Sequence, residues 1–202
     1  MKLILPKTSV TLPTPWGEFK TFTMPNGDAK DPHVVLVNTH FPKKTTTPLV
    51  RVHSECLTGD IFGSLRCDCG EQLKLSLKQI GKQGGVVIYL RQEGRGVGLV
   101  NKLKAYHLQD QGLNTVEAQV RLHLPVDSRH YGIATTILKK LGIAKLRLFT
   151  NNPDKVAELI KGGLDVVERV PLITKPNRHN RHYLETKQTI LGHLLNISSN
   201  DR

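Results

Sequence analysis

Residues 130–170 decide the fold class, and they read HYGIATTILKKLGIAKLRLFTNNPDKVAELIKGGLDVVERV. Apolar residues at helical spacing predict a helix over 130–141, and a short apolar run predicts a strand over 145–150. The pair Asn152-Pro153 is typical of the start of a second helix. A second strand is predicted over 165–170. Because helices and strands alternate, this stretch predicts an α/β fold.

The remainder of the chain continues this alternation. A loop is expected over 42–47, helices over 70–80, 98–109 and 183–195, and strands over 34–37, 48–52 and 86–90. The strand-rich N-terminal half adds antiparallel character. We therefore predict an α/β fold with a mixed sheet flanked by helices. Residues 1–197 are predicted to form one domain, and residues 198–202 a disordered tail.

The composition limits the classes of partner. A hydrophobic content of 38% and a charged content of 23% are typical of a globular protein. The net charge of +12 suggests an anionic ligand, but the basic residues are dispersed and aromatic residues make up only 5%. No helix-turn-helix, RNP or paired Cys/His finger pattern is present. We therefore predict no nucleic-acid partner and favour a site for a small polyanion such as a nucleoside triphosphate, with a solvated basic surface as the alternative.

The sequence also indicates the cellular compartment in which the protein is expected. No stretch approaches the length of a membrane span, and the N-terminal ten residues lack the apolar core and cleavage site of a signal peptide. Cysteines in a chain without a leader are typical of a reducing compartment. We therefore predict a cytoplasmic protein with no membrane partner.

The three cysteines of the chain, Cys56, Cys67 and Cys69, lie within fourteen residues. An odd number of cysteines cannot be fully paired within one chain. Three thiolates plus one open position match the ligand set of a catalytic zinc, which binds a water at the fourth position. The alternative is three small buried thiols. The polar, turn-like setting of Cys67-Asp68-Cys69 favours zinc.

A second candidate site is the glycine-rich segment RQEGRGVG at residues 91–98, between a predicted strand and a predicted helix. It is not a dinucleotide fingerprint, because Leu99 stands where the third glycine would be, and it lacks the Gly-Lys-Ser/Thr of a P-loop. Its glycines allow a ligand to approach the backbone closely. Two arginines and a glutamate in this turn favour a phosphate or base site over an ordinary glycine turn.

Three further positions are ambiguous when each is taken alone. Thr150 and Lys155 flank a helix N-terminus, which either binds an anion or is a plain cap with a surface lysine. Asp127 and Arg129 indicate a local ion pair beside a helix cap. Tyr106 lies on the apolar face of its helix, as a core tyrosine would.

Taken together, these segments resemble the GTP cyclohydrolase II family of riboflavin biosynthesis. The resemblance is carried by LPTPWG at 12–17, RVHSECLTGD at 51–60, SLRCDCG at 64–70, RQEGR at 91–95, KAYHLQDQG at 104–112, TVEA at 115–118, TNNP at 150–153, ERVPL at 168–172 and HYLETK at 182–187. It runs from residue 12 to about residue 195. The implied form is single-function, without a butanone-phosphate-forming domain.

The resemblance implies a reaction and its cofactors. Water and GTP would give 2,5-diamino-6-ribosylamino-4(3H)-pyrimidinone 5′-phosphate, formate and pyrophosphate, the first step of riboflavin biosynthesis. Cys56, Cys67 and Cys69 would hold one Zn²⁺ per subunit, with a zinc-bound water opening the imidazole ring at C8. Mg²⁺ would accompany the triphosphate. A homodimer is also implied.

The resemblance also assigns residues. Tyr106 matches the catalytic tyrosine of the family, which replaces the core interpretation. Asp127 and Arg129 match the proposed base and nucleophile for pyrophosphate loss, although a guanidinium that stays protonated is better suited to clamp a phosphate. Glu93 is the candidate to accept from N1–H and the N2 amino group of guanine. GTP binding maps onto Arg51, Val52, His53, Ser54, Glu55, Gln72, Glu93, Gly94, Arg95, Thr115, Thr150 and Lys155.

Two other functions compete with this one. A relative could hydrolyse another purine or pyrimidine ring with the same zinc, but the presence of Asp127, Arg129, Thr150 and Lys155 favours release of pyrophosphate. A basic zinc module that binds RNA is the alternative from a different class. Formate production from GTP separates both from the favoured reaction.

Overall fold

The computed structural model describes residues 3–38, 40, 47–195 and 197. Within them, seven strands are β1 Val10–Thr14, β2 Gly17–Met24, β3 His33–Asn38, β4 Leu49–Ser54, β5 Gly85–Leu90, β6 Lys145–Phe149 and β7 Asp165–Val170. The helices are α1 Leu57–Asp60, α2 Cys69–Gln83, α3 Gly98–Asp110, α4 Thr115–Arg121, α5 Gly132–Lys140, α6 Pro153–Lys161 and α7 Arg181–Thr189. A 3₁₀ turn, Glu93–Gly96, lies between β5 and α3.

The strands form one mixed sheet in the order β1-β2-β3-β5-β4-β6-β7. The pairs β1–β2, β2–β3 and β3–β5 are antiparallel, whereas β4–β6 and β6–β7 are parallel. The predicted α/β fold, with its antiparallel strands in the N-terminal half, is confirmed. The carboxyl ends of the parallel strands β4 and β6 lie at the same edge of the sheet.

The sheet buries side chains on both of its faces, because successive side chains of a strand point to opposite sides. On one face Val35, Ile88 and Leu148 pack with residues of α5 and α6. On the other face Phe19 and Val87 pack with residues of α2. The sheet is therefore covered by helices on both sides, as the sequence predicts.

Several boundaries differ from the predicted ones. The elements β1, β2, α1 and α4 lie outside the helices and strands that the sequence predicts. The helix α7 ends at Thr189 rather than residue 195, and Gly192 beyond it has a φ of 64°, which a helix cannot accommodate. The predicted tail and most of the predicted loop over 42–47 lie outside the described residues.

The chain divides into two compact units, each assembled from three segments. Unit 1 contains the described residues within Met1–His53, Leu73–Arg91 and His130–Leu172, and it includes almost the whole sheet. Unit 2 contains those within Ser54–Gln72, Gln92–Arg129 and Ile173–Arg202, and here α3 packs against α4. In the part of the chain that the structure describes, every helix is too short or too polar to cross a membrane.

Candidate functional site

The three cysteines converge at one point in unit 2. Cys56 immediately precedes α1, and Cys69 is the first residue of α2. The three sulfur atoms lie within 4.8 Å of one another, and those of Cys56 and Cys67 are 3.7 Å apart. This separation is far longer than the bond of about 2.05 Å in a disulfide. All three thiols are therefore free and form a cluster that could hold a metal ion.

Two glycines make room for this cluster. A Cβ on Gly59 would lie 2.8 Å from the sulfur of Cys67 and 3.3 Å from that of Cys56. A Cβ on Gly70 would lie only 2.2 Å from the carbonyl oxygen of Gly59. Because neither position carries a side chain, α1 and the start of α2 approach closely enough to bring the sulfurs together.

The contacts within the cluster favour ionisation of one of the three thiols. Hydrogen bonds from the thiols of Cys67 and Cys69 hold the pKa of Cys56 far below its ordinary value, outweighing burial, and the Lys102 ammonium lowers it further. The same hydrogen bond to Cys56 raises the pKa of Cys67 to about 11. Among the three thiols, Cys56 is therefore the one whose ionised form these contacts favour.

Lys102 and Glu93 form a buried ion pair beside Cys56. The Lys102 ammonium donates to the Cys56 sulfur at 3.1 Å and to Glu93 Oε1 at 2.9 Å. Glu93 also accepts from the backbone N–H of Leu57 at 2.6 Å and from that of Gly94 at 2.7 Å. The Glu93 carboxylate thus connects α1 to the 3₁₀ turn through hydrogen bonds.

Tyr106 is half-buried beside this pair rather than fully enclosed in a core. Its ring centroid lies 4.6 Å from the guanidinium carbon of Arg66 and 5.7 Å from the Lys102 ammonium. Burial raises the pKa of Tyr106 above its ordinary value, although Lys102 and a hydrogen bond with Thr58 oppose the shift. The phenol therefore stays protonated at neutral pH and can donate a hydrogen bond or a proton.

The cluster lies in the wall of a cavity formed by unit 2 alone. Predicted site residues that line it are Ser54, Glu55, Cys56, Cys67, Cys69, Glu93, Gly94, Arg95, Tyr106, Thr115 and Arg129. Among the described residues, the lining atoms Ser54 Oγ, Arg95 Nη1 and Gln119 Oε1 have no hydrogen-bond partner. Since buried polar groups are nearly always paired, these atoms indicate a cavity built for a polar ligand.

Asp127 and Arg129 form a forked ion pair at this cavity. The Arg129 Nε donates to both carboxylate oxygens of Asp127, at 2.9 and 3.1 Å, and Nη2 makes a further close contact. Burial would raise the pKa of Asp127, but the hydrogen bonds and charge of Arg129 hold it below its ordinary value. Ser128 donates from its N–H and hydroxyl to the carbonyl of Arg95, which fixes this loop on the 3₁₀ turn.

The predicted residues Arg51, Val52, His53, Thr150 and Lys155 belong to unit 1. Arg51 donates to the carbonyl of Phe149 at 3.1 Å, and the Lys155 ammonium donates to the carbonyl of Val52 at 2.8 Å. The imidazole of His53 stacks on Tyr89 with ring centroids 5.4 Å apart. The structure therefore gathers these residues where β4 and β6 end and α6 begins, an edge at which α/β sheets commonly bind ligands.

Comparison with known proteins identifies the family of this chain. The family model described as GTP cyclohydrolase II matches residues 6–171. The chain belongs to the GTP cyclohydrolase II family. The resemblance noted in the sequence is thereby confirmed, and the individual site residues stay predictions.

Two curated relatives match almost the whole of this chain. The riboflavin biosynthesis protein RibBA of Bacillus cytotoxicus is 53% identical over 193 residues, covering 95% of this chain and 48% of the relative. That of Bacillus subtilis is 52% identical over 196 residues, covering 96% and 49%. The chain thus spans about half the length of the curated relatives it matches.

One solved structure is similar at a much lower level. It is RibBX, a two-domain 3,4-dihydroxy-2-butanone 4-phosphate synthase from A. baumannii, with 18% identity and a TM-score of 0.41. The match covers 74% of this chain and 35% of that one. A similarity this weak carries no argument about function.

Several residues of the site are absent from the predicted set. Lys102, Gln119 and Tyr183 line the cavity, and Asp68 is buried between Cys67 and Cys69. Lys102 could have been found from its spacing, because it lies one helical turn before Tyr106. No sequence signal points to Gln119. Gln72, which is predicted to bind GTP, donates to Asp68 at 2.6 Å and does not line the described cavity.

Proposed function

We propose that the chain catalyses zinc-dependent hydrolysis of GTP to 2,5-diamino-6-ribosylamino-4(3H)-pyrimidinone 5′-phosphate, formate and pyrophosphate, the first step of riboflavin biosynthesis. Family membership and the RibBA relatives support this reaction. The observation that carries the proposal is the cysteine cluster in a cavity that also presents Tyr106, Lys102, Arg95 and Arg129. One wall offers soft metal ligands, and the others offer cations for a polyanion.

The donor set fits zinc. Four ligands placed tetrahedrally at the usual Zn–S distance of about 2.3 Å would have sulfur atoms about 3.8 Å apart. The Cys56 and Cys67 sulfurs are 3.7 Å apart without any rearrangement. Cys56, Cys67 and Cys69 would therefore hold Zn²⁺, which when bound supplies a Lewis acid and an acidified water at its fourth position.

The protein groups around the cluster have distinct tasks in ring opening. The protonated Tyr106 hydroxyl is suited to donate a proton to a ring nitrogen as the imidazole opens. The Lys102 ammonium compensates the charge of the Cys56 sulfur at 3.1 Å, and Glu93 holds that ammonium in place. Because the side chains of Lys102 and Glu93 are each only 10% exposed, these interactions are stronger than they would be in water.

A second set of groups is suited to the phosphates. The Arg129 guanidinium is oriented by the ionised carboxylate of Asp127, and Arg95 adds a second cation. We assign Arg129 the role of clamp on the transferring phosphoryl group, because a guanidinium that stays protonated is a poor nucleophile. Mg²⁺ would bind the triphosphate rather than a protein cage.

Replacing Arg129 with lysine tests this clamp. Lysine keeps the charge but loses the forked hydrogen bonds to Asp127. We expect pyrophosphate release to fall by about 10²- to 10³-fold, the usual effect of removing one preorganised donor. Rapid-quench measurement of pyrophosphate gives the rate, and mass spectrometry of the quenched protein tests for an adduct. If Arg129→Lys still forms a normal α-phosphate adduct, the hypothesis that a guanidinium must be the nucleophile is wrong.

Replacing Glu93 with glutamine tests recognition of guanine. We predict that the carboxylate accepts from N1–H and the N2 amino group, a donor pair that adenine lacks. We expect Glu93→Gln to reduce the selectivity for GTP over ATP by about 10-fold or more, because one acceptor becomes a donor. Competition binding with the two nucleotides measures this selectivity. If the variant loses the same affinity for both nucleotides, Glu93 does not recognise guanine, and its role is limited to the contacts with Leu57, Gly94 and Lys102.

The overall reaction is tested by incubating the purified protein with GTP, Mg²⁺ and Zn²⁺. We expect formate and pyrophosphate in equal amounts and the ultraviolet band of the pyrimidine product, with no product from ATP. A homodimer and a cytoplasmic location are further parts of this proposal, and light scattering tests the first. RNA binding that is steeply salt-dependent, without formate from GTP, would contradict the enzymatic function.

A further inference from the structure

The turn that carries Cys67 and Cys69 is held from the C-terminal helix. Asp68 separates the two cysteines, and it is 1% exposed. Its Oδ1 accepts from the Lys187 ammonium at 2.7 Å, and its Oδ2 accepts from the side-chain amide of Gln72 at 2.6 Å. Both carboxylate oxygens are thus engaged. A buried ion pair links the cysteine turn to a residue 119 positions later in the chain.

The same face of α7 reaches the cavity. Tyr183 and Lys187 are four residues apart and therefore lie on one side of the helix. The Lys187 ammonium is 4.5 Å from the centroid of the Tyr183 ring, and that ring lines the cavity. The helix α7 therefore contacts both the cysteine turn and the wall of the cavity.

We propose that Lys187 is a positioning residue for the metal site and acts through Asp68. Two thiolates separated by one residue can reach the same ion only if the chain bends sharply between them. The ion pair fixes the residue at the apex of that bend, and the ammonium balances a carboxylate that would otherwise add charge between two thiolates. This inference rests on the proposed function, because it requires that the cluster bind zinc.

A purely structural role for the pair makes a different prediction. An ion pair that only secures α7 would change the stability of the metal-free protein and leave zinc affinity unaltered. A positioning role changes zinc affinity beyond any change in stability, because partners of metal-bound groups set ligand orientation. Loss of such a partner usually weakens metal binding by about 10- to 100-fold.

The test uses the full chain with Lys187→Met, which removes the charge and keeps most of the side-chain volume. We expect zinc affinity, measured by competition with a chromophoric chelator, to fall by about 10- to 100-fold. The sulfur-to-metal charge-transfer band of the Co²⁺-substituted protein should weaken or shift. Lys140→Met, at an exposed lysine near the end of α5, is the matched control and should bind zinc as the wild type does.

A double-mutant cycle identifies the cause. Asp68→Asn alone leaves the ammonium without its counter-charge, whereas Asp68→Asn with Lys187→Met removes both charges. We expect the double variant to bind zinc more tightly than the sum of the two single losses predicts. Additive losses would overturn charge compensation through Asp68. If Lys187→Met does not fold, zinc affinity is measured for Lys187→Arg and Asp68→Asn instead. Wild-type zinc affinity in both variants would overturn the inference.

The outcomes separate this inference from the proposed function. Wild-type protein that binds zinc tightly, together with a folded Lys187→Met variant of equal affinity, would overturn the inference alone. A lower melting temperature of metal-free Lys187→Met with unchanged zinc affinity would do the same. Wild-type protein that binds no zinc would overturn the proposed zinc chemistry and this inference together.

Discussion

Replacing Cys67 with serine should abolish formate release from GTP and leave pyrophosphate release measurable. Cys67 is 8% exposed, and its sulfur lies 3.7 Å from that of Cys56, so the substitution acts inside the cluster. A serine hydroxyl is a harder donor and does not ionise at neutral pH, so one of the three proposed zinc ligands would be lost. A metal ion supplies several kcal/mol to a hydrolytic transition state. Formate release should therefore fall by about 10³-fold or more.

The pyrophosphate step should survive because its groups are oriented by contacts with one another. Arg129 is oriented by Asp127, and the loop between them is fixed by Ser128 on the carbonyl of Arg95. The variants Cys67→Ser and Arg129→Lys are therefore reciprocal controls. The first should lose formate preferentially, and the second should lose pyrophosphate preferentially.

The measurement follows the two products separately in the same reaction, with zinc content determined by elemental analysis. Circular dichroism shows whether the variant retains the fold. Simultaneous loss of formate and pyrophosphate in a folded Cys67→Ser protein would contradict this division. Ring opening and pyrophosphate release would then depend on one shared arrangement of groups.

The fold could be predicted where local sequence preferences and burial agree. The helix α6 is an example, because Asn152 accepts from the N–H of Asp154 and Pro153 occupies the first helical turn, as the sequence predicts. The helix α4 was not predicted, although Asn114 and Glu117 form a capping box at its start. A helix of seven residues has too few apolar positions to show helical periodicity.

The sequence predicts those parts of the site whose residues lie close together along the chain. The cysteine cluster follows from spacing, but the partners of its turn do not. Lys187 contacts Asp68 across 119 residues, a juxtaposition that only the tertiary structure creates. Glu93 shows the opposite limitation. Its residue type suggests a base contact, whereas the structure adds two backbone donors and an ammonium that residue type alone cannot reveal.

Replacing Gly59 with alanine should disrupt the cluster without changing any polar group. The added Cβ would lie 2.8 Å from the sulfur of Cys67, 3.3 Å from that of Cys56 and 3.2 Å from the Cβ of Cys69. Contacts under 3.0 Å force a shift, and here the nearest atoms belong to the three cysteines of the cluster. Overpacking of this kind costs about 1–3 kcal/mol, so zinc affinity should fall by about 10- to 100-fold.

The sign of this effect distinguishes sterics from helix propensity. Alanine favours a helix over glycine by about 1 kcal/mol, so propensity alone would stabilise α1 in Gly59→Ala. Gly132→Ala is the matched control, because Gly132 opens α5, has no atom within 4 Å of an added Cβ and is not in the left-handed region. It should bind zinc normally and unfold at the same temperature or higher. Zinc titration and thermal unfolding of both variants measure the difference. Wild-type zinc affinity in Gly59→Ala would mean that the sulfurs have room to move, and the close approach of α1 to the cluster would then have no role in assembling the metal site.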